Sequence, residues 1–437
     1  MVRLAGWIDW CLIALGLILL FWVLPHGVTG DGVGRFNALA ALLEEGRVVD
    51  SAYSLLMPLL SSPFYLLGKI WMSPQWWLAR FNTIVFALFL VVAWKGLRPW
   101  LAPPTIRAFI LLLISGSMFT FHLQDFYGEV VTACVFASGS IWLTRRPLTA
   151  GLAIGVAVAN TPAVLLALVM SLGRYVVQSR RLRYLLIVVL AVALVMVEWW
   201  VKRGSPFNSG YGSNQGLVTI MPFSGRPGFS YPLFFGVLST LLSFGKGLLF
   251  FAPGLVLVFR KDLGRSLGRA EPVLGLWLWF LLGLILVYAR WWAWYGGFFW
   301  GPRFYLFAGI LSALVLAVEL SNEDKTLAGR LAVLALLGLS LWVGVTGAVY
   351  GQSHLEVCHQ NNYALEHLCW YVPEFSVLWR PLITGLDLNP GQASFLIYAL
   401  VVFVRLAWPE IRGLARGLGS DQVANVRGFL DRGSWRW

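Results

Sequence analysis

Leu12-Ile-Ala-Leu-Gly-Leu-Ile-Leu-Leu-Phe-Trp-Val-Leu-Pro-His26-Gly-Val-Thr-Gly-Asp31-Gly-Val-Gly-Arg-Phe-Asn37 passes from an uncharged apolar run into a loop with a single acid. The apolar part, near 7–24, is long enough to cross a hydrocarbon core of about 30 Å as a helix. Asp31 then stands just beyond the helix end, at a membrane surface. No small-x-small cleavage site follows the run, so this segment is expected to be a retained signal anchor rather than a removed signal peptide.

The same pattern recurs along the chain. Its 437 residues are 59% hydrophobic and only 12% charged, so its solvent is mostly lipid. Further full spans are expected near 76–94, 105–121, 128–143, 182–200, 245–259, 272–289, 304–320, 330–349 and 392–408. Each should be helical, because a lipid-exposed backbone must satisfy its own hydrogen bonds. The fold class is an all-α polytopic membrane protein: one integral domain over 1–437, with about 10–12 transmembrane helices. Two stretches read differently. Residues 148–173, broken at Asn160-Thr-Pro162, read as paired half-helices that enter and return, and 53–70, interrupted by Pro58 and Pro63, as a juxtamembrane or re-entrant segment. Broken backbone at that depth needs protein or a water-filled cavity around it, which makes both segments expected cavity walls.

Charge sets the expected orientation. Lys95, Arg98, Arg145, Arg146, Arg180, Arg181, Arg183, Arg260, Lys261, Lys325 and Arg330 fall in one set of connections, with Arg412, Arg416, Arg427, Arg432 and Arg436 in a tail over 409–437. By the positive-inside rule that side is cytoplasmic. Asp31, Asp125 and Glu129 then face outward, on the periplasmic or extracellular side of an inner (plasma) membrane. The net charge of +13 follows this distribution and suits anionic lipid, so no nucleic-acid partner is expected. Cys358 and Cys369 share an outward loop and are expected to form a disulfide. A metal site from Cys358, His359, His367 and Cys369 is the alternative, although the spacing is not that of a common zinc module. His26 and His122 lie near the acids but are too isolated to argue for a metal.

The outward segments 26–75, 122–128, 202–235, 289–303 and 351–391 carry the candidate chemistry. Asp31 is either a turn residue or a base, and Asp125 either caps a helix starting near Phe126 or works with Glu129, four residues on. Arg35 to Gly46 reads as a short amphipathic helix with Glu44 and Glu45 solvated. In Tyr288-Ala-Arg290-Trp-Trp-Ala-Trp-Tyr295-Gly-Gly-Phe-Phe-Trp-Gly-Pro-Arg303 most aromatics suit an interfacial belt. Arg290 and Arg303 either meet lipid phosphates or clamp a substrate phosphate. Lys246 either snorkels or joins them. Glu198 and Lys202 are expected to pair across one helical turn. No Walker motif is present, which argues against an ATP-driven pump.

Taken in order, Asp31, the proline-bearing segment Met57-Pro58 to Gly68, Asp125 with Glu129, the break at Asn160-Thr-Pro162, Gly-Lys246-Gly-Leu-Leu-Phe-Phe-Ala-Pro253, Trp-Trp-Ala-Trp-Tyr-Gly-Gly, Gly-Pro-Arg303-Phe and Cys369-Trp-Tyr-Val-Pro resemble the GT-C glycosyltransferases that use polyprenyl-phosphate sugars. The bacterial branch near protein O-mannosyltransferases and aminoarabinose transferases is the most similar. Relatives often carry an acidic pair where Asp31 is followed by Gly32, and Lys-Pro where this chain has Thr161-Pro162. The resemblance implies a GT-C-like bundle with outer-face juxtamembrane helices, and transfer of a sugar from a polyprenyl phosphate to a lipid, glycan or protein hydroxyl with inversion. It makes Asp31 the general base, gives Asp125 and Glu129 positioning roles, and sets Arg290, Arg303 and Lys246 at the donor phosphate. No cofactor is required by a monophosphate donor, although a divalent metal is possible. An O-antigen ligase or polymerase, or a lipid-linked sugar flippase, is the competing expectation.

Overall fold

The computed structural model describes residues 2–210, 218–385 and 388–432, and they are helical with no strand among them. Residues 211–217 of the loop 202–235, residues 386–387 of the loop 351–391, and the tail end 433–437 with Arg436 lie outside the described residues. The helices in chain order are α1 (Val2–Ile18, extended by a π-helical turn Leu19–Val23), α2 (Asp31–Glu45), α3 (Leu56–Ile70), α4 (Pro74–Leu97), α5 (Pro103–Ser115), α6 (Phe119–His122) and α7 (Gly128–Trp142). There follow α8 (Pro147–Asn160), α9 (Leu165–Ser179), α10 (Leu185–Arg203), α11 (Leu233–Leu242), α12 (Leu248–Phe251), α13 (Leu263–Leu267) and α14 (Glu271–Tyr288). The chain ends with α15 (Phe307–Leu320), α16 (Leu327–Val349), the short α17 (Glu356–Tyr363), α18 (Glu366–Tyr371) and α19 (Pro381–Thr384), and α20 (Pro390–Arg432). Among the described residues seven helices are long and apolar enough to cross a membrane, and five shorter apolar helices accompany them. The chain is a multi-pass membrane protein.

Most expected spans fall on helices, but 245–259 does not form one. It divides into the single turn α12 and a 3₁₀ segment, Pro253–Phe259. Pro253 lacks the N–H that would continue α12, and a Cβ on Gly254 would sit 2.4 Å from the carbonyl of Ser312 in α15. Close approach to α15 has replaced helical regularity. Conversely, α3 is unbroken despite Pro63. The carbonyl of Leu59, which Pro63 cannot serve, accepts the Ser62 hydroxyl at 2.7 Å. The break after Asn160 is present, and α9 with its leading 3₁₀ turn (Pro162–Ser179) is itself of membrane-crossing length.

α7 packs on α4 and α8, α9 on α14, α5 on α15, and α16 on α20. A second apolar cluster of Leu39, Met57, Tyr65, Leu78, Phe81, Phe126 and Val131 fastens α2 and α3 onto α4 and α7. Large apolar side chains left exposed, such as Trp7, Ile18 and Trp22 on α1 and Leu186, Val189 and Val197 on α10, lie on helices of membrane-crossing length. One end of the bundle gathers the starts of α2, α7 and α15 with the ends of α8, α10 and α14.

Candidate active site

Asp31 is the first residue of α2, where a carboxylate faces the positive end of the helix dipole. The glycines beside it have separate causes. Gly30 has φ of 48°, in the left-handed region, and a Cβ on Gly32 would lie 3.0 Å from Asp125 Oδ1. The helix thus starts four residues earlier than the expected Arg35. Asp31 Oδ2 accepts from Arg303 Nη1 at 2.6 Å, and Oδ1 accepts from the Tyr53 hydroxyl at 2.8 Å. Burial alone would push this carboxyl up, but Arg303 and Tyr53 hold it below the ordinary carboxylate range.

Arg303 also lies 3.6 Å from Glu129 in the first turn of α7, and its guanidinium stands 4.0 Å from the Phe299 ring centre. Burial works against its charge, yet Asp31 and Glu129 raise its proton affinity above the ordinary value. Its Nε is buried without a hydrogen-bond partner. Arg303 and Glu129 line a tight cleft with room for only about 20 Å³, roughly one water. Its lining also holds Thr132, Thr161 and Tyr288 together with the apolar Val164, Phe280, Leu284 and Phe307. Of the two expected cavity walls only the helix break contributes, through Thr161 and Val164. The segment 53–70 does not line the cleft and is instead tied behind it, where Asn160 donates to the carbonyl of Gly128 and accepts from the backbone N–H of Met57 in α3.

The remaining expected site residues sit nearby but in other arrangements. Asp125 accepts from the backbone N–H and the hydroxyl of Thr29 and from the Phe126 N–H, so it ties the first outer loop to the second. It does not cap α7, which starts at Gly128. Burial raises its carboxyl above the usual range despite these bonds. Lys246 is buried and donates to the carbonyls of Gly297, Phe299 and Gly301 at 3.2, 2.5 and 2.9 Å. All three ammonium protons are therefore used in folding the loop that ends at Arg303. Positive φ at Gly297 (78°) and Gly301 (66°) lets the loop turn those carbonyls inward. Arg290 is exposed, donates to the carbonyl of Phe229 at 3.2 Å, and is not drawn into the Asp31 cluster.

Cys358 and Cys369 are joined as a disulfide, so neither offers a thiolate to a metal. The bridged segment docks on the Lys246 turn, where the Gly245 N–H bonds to the carbonyl of Trp370 at 3.0 Å. His26 is held by the carbonyls of Leu20 and Ala79. Among the described residues no group of three or more His, Cys, Asp or Glu is placed to hold a metal ion.

Two residues escaped the sequence reading. Arg35 is 6% exposed, lies 4.9 Å from the Tyr53 ring centre, and leaves Nε and Nη1 without hydrogen-bond partners. Gly128 makes room for it, because a Cβ there would stand 2.7 Å from its Nη2. Had α2 been started at Asp31, the spacing of four residues would have placed Arg35 on the same face. Tyr53 lies in a connection with no local signal.

No protein-family model and no curated protein matches the sequence. Among solved structures, ArnT from Cupriavidus metallidurans bound to undecaprenyl phosphate is similar, with a TM-score of 0.53 and 12% identity over 96% of this chain and 80% of that one. The same protein in its apo state gives a TM-score of 0.53 and 15% identity over 95% of this chain and 78% of that one. The likeness shows that the chain has the fold of ArnT.

Proposed function

We propose that the protein is a glycosyltransferase that moves a sugar from a polyprenyl-phosphate donor to an acceptor hydroxyl at the outer membrane face, with inversion. The observation that carries this reading is the Asp31–Arg303–Glu129 cluster, with Arg303 and Glu129 on a tight cleft lined by both polar and apolar side chains. The undecaprenyl phosphate bound to the similar ArnT supports the donor class. The arginine-rich connections at the other end of the bundle support the outward orientation.

The chemistry follows from charge. Asp31 takes the proton of the acceptor hydroxyl, whose oxygen attacks the anomeric carbon as the bond to the phosphate oxygen breaks. The electron pair leaves with the polyprenyl phosphate, which gains negative charge beside Arg303 and Arg35. Arg303 is shared. While it grips Asp31 that carboxylate is a weak base, and a donor phosphate competing for the guanidinium would leave Asp31 more basic once the site is filled. The tight cleft must widen to admit the lipid. Glu129 holds Arg303 beside Asp31, while Asp125 and Lys246 act one step removed, holding the loops that present Asp31 and Arg303.

The test is sugar transfer in proteoliposomes, with a panel of labelled polyprenyl-phosphate sugars and a membrane extract as acceptor. Wild type should transfer from at least one donor, and Asp31→Asn should reduce the rate by about 10²–10⁴-fold with folding intact. Equal rates in both would remove Asp31 from the chemistry and favour a ligase-like enzyme with its base elsewhere. Movement of lipid-linked sugar across the bilayer without transfer would mark a flippase.

A further inference from the structure

The connection from α2 to α3 is gripped by the last turns of α10, far away in sequence. Glu198 Oε2 accepts the Ser54 hydroxyl at 2.7 Å, and Oε1 accepts the Leu55 N–H at 2.8 Å. Lys202 donates to the Tyr53 carbonyl at 2.5 Å, and Arg203 to the Ser51 carbonyl at 2.6 Å while pairing with Asp50 at 2.7 Å. The Glu198, Lys202 and Arg203 side chains are only 12%, 1% and 4% exposed. An interfacial ion pair alone does not account for this arrangement. Glu198 and Lys202 stand 3.3 Å apart, and each makes a shorter bond to the strap than to the other. Nor is the charge needed to end the helix, since Gly204 caps it with φ of 69°.

Tyr53, in the middle of this strap, places its hydroxyl on Asp31 Oδ1 and its ring beside the Arg35 guanidinium. We infer that Glu198 and Lys202 are positioning residues for Asp31, acting through Tyr53. The inference rests on Asp31 being the base. A phenol donating to a carboxylate favours its ionised form. Tyr53 on Oδ1 and Arg303 on Oδ2 also fix the carboxylate plane, so the remaining lone pairs face a set direction for the incoming hydroxyl. The last turn of α10 is then a brace for the reacting group, reached over more than a hundred residues of sequence.

The experiment is the pH profile of transfer kcat/KM in proteoliposomes for wild type, Tyr53→Phe, Glu198→Ala, Glu198→Gln and the double variant Tyr53→Phe/Glu198→Ala, with Asp31→Asn as control. Tyr53→Phe should move the acid limb upward by about one pH unit and lower kcat by about tenfold, with donor KM within about twofold. Glu198→Ala should move the limb in the same direction. The double variant should move it no further than Tyr53→Phe alone, and Glu198→Gln, which keeps an acceptor for Leu55, should recover part of the loss. An unmoved acid limb in Glu198→Ala, or full additivity in the double variant, overturns the inference. If Glu198→Ala does not fold, Ser54→Ala removes one of the two strap bonds and is read by the same limb. Undiminished transfer by Asp31→Asn is a separate result, which overturns the base assignment instead.

Discussion

Two buried ion clusters occupy opposite ends of this bundle, and they are built differently. At the arginine-rich end Glu410, 1% exposed, accepts from Lys325 and from Arg330, while Lys325 also donates to the carbonyl of Glu319 and Arg330 to that of Glu323. That cluster ties α20 to the start of α16 and the end of α15, and its cations are satisfied. At the site end Arg303 and Arg35 keep buried N–H groups without partners, and Arg303 and Glu129 border the tight cleft. A buried donor left unmade is costly, so three such groups beside two carboxylates support the proposed role of this cluster in binding a phosphate. One cluster has its cations fully paired, and the other keeps donors unpaired.

Substitutions can break or sharpen that contrast. Arg303→Met should lower transfer kcat/KM by about 10²–10³-fold. It also removes the charge that keeps the Asp31 carboxyl low, so the acid limb of kcat/KM, which reports the free enzyme, should move upward. Glu410→Gln should instead destabilise the protein by about 3 kcal/mol, because it strips a buried partner from two cations. It should lower the melting temperature in detergent while turnover per folded molecule stays at the wild-type value. Comparable loss of turnover in Glu410→Gln would erase the distinction between the clusters. Opening the Cys358–Cys369 bridge with the double serine variant should cost about 2–3 kcal/mol. It should also slow transfer a few-fold, because the bridged segment supports the Lys246 turn and hence the Arg303 loop. Glu45→Gln, at a pair whose side chains are 57% and 62% exposed, should change neither stability nor turnover measurably.

Much of the bundle was legible because lipid imposes a coarse rule: long uncharged runs become helices. The rule fails locally where packing replaces it, as at Pro253 and Gly254, and where a side chain repairs a break, as Ser62 does for Pro63. In the site, Asp31 and Arg303 stood out singly, each a charge at the edge of an apolar segment. Their pairing did not, since 272 positions separate them and nothing local encodes it. Lys246 was legible as an unusual lysine but not as a cation for three carbonyls, which depends on the glycine turns of a loop fifty residues on. Arg35 was hidden by a helix start placed too late, and Tyr53 by a connection whose shape is dictated from α10.

The most direct measurement of the central claim needs no knowledge of the sugar. It is equilibrium binding of a short-chain polyprenyl phosphate to the purified protein in nanodiscs, comparing wild type with Arg303→Met and Glu410→Gln. The account predicts that Arg303→Met weakens binding at least about tenfold, the loss of one charge-assisted hydrogen bond, while folded Glu410→Gln binds as wild type does. Equal binding by all three proteins would contradict it, because the site-end cluster would then have no part in holding a lipid phosphate.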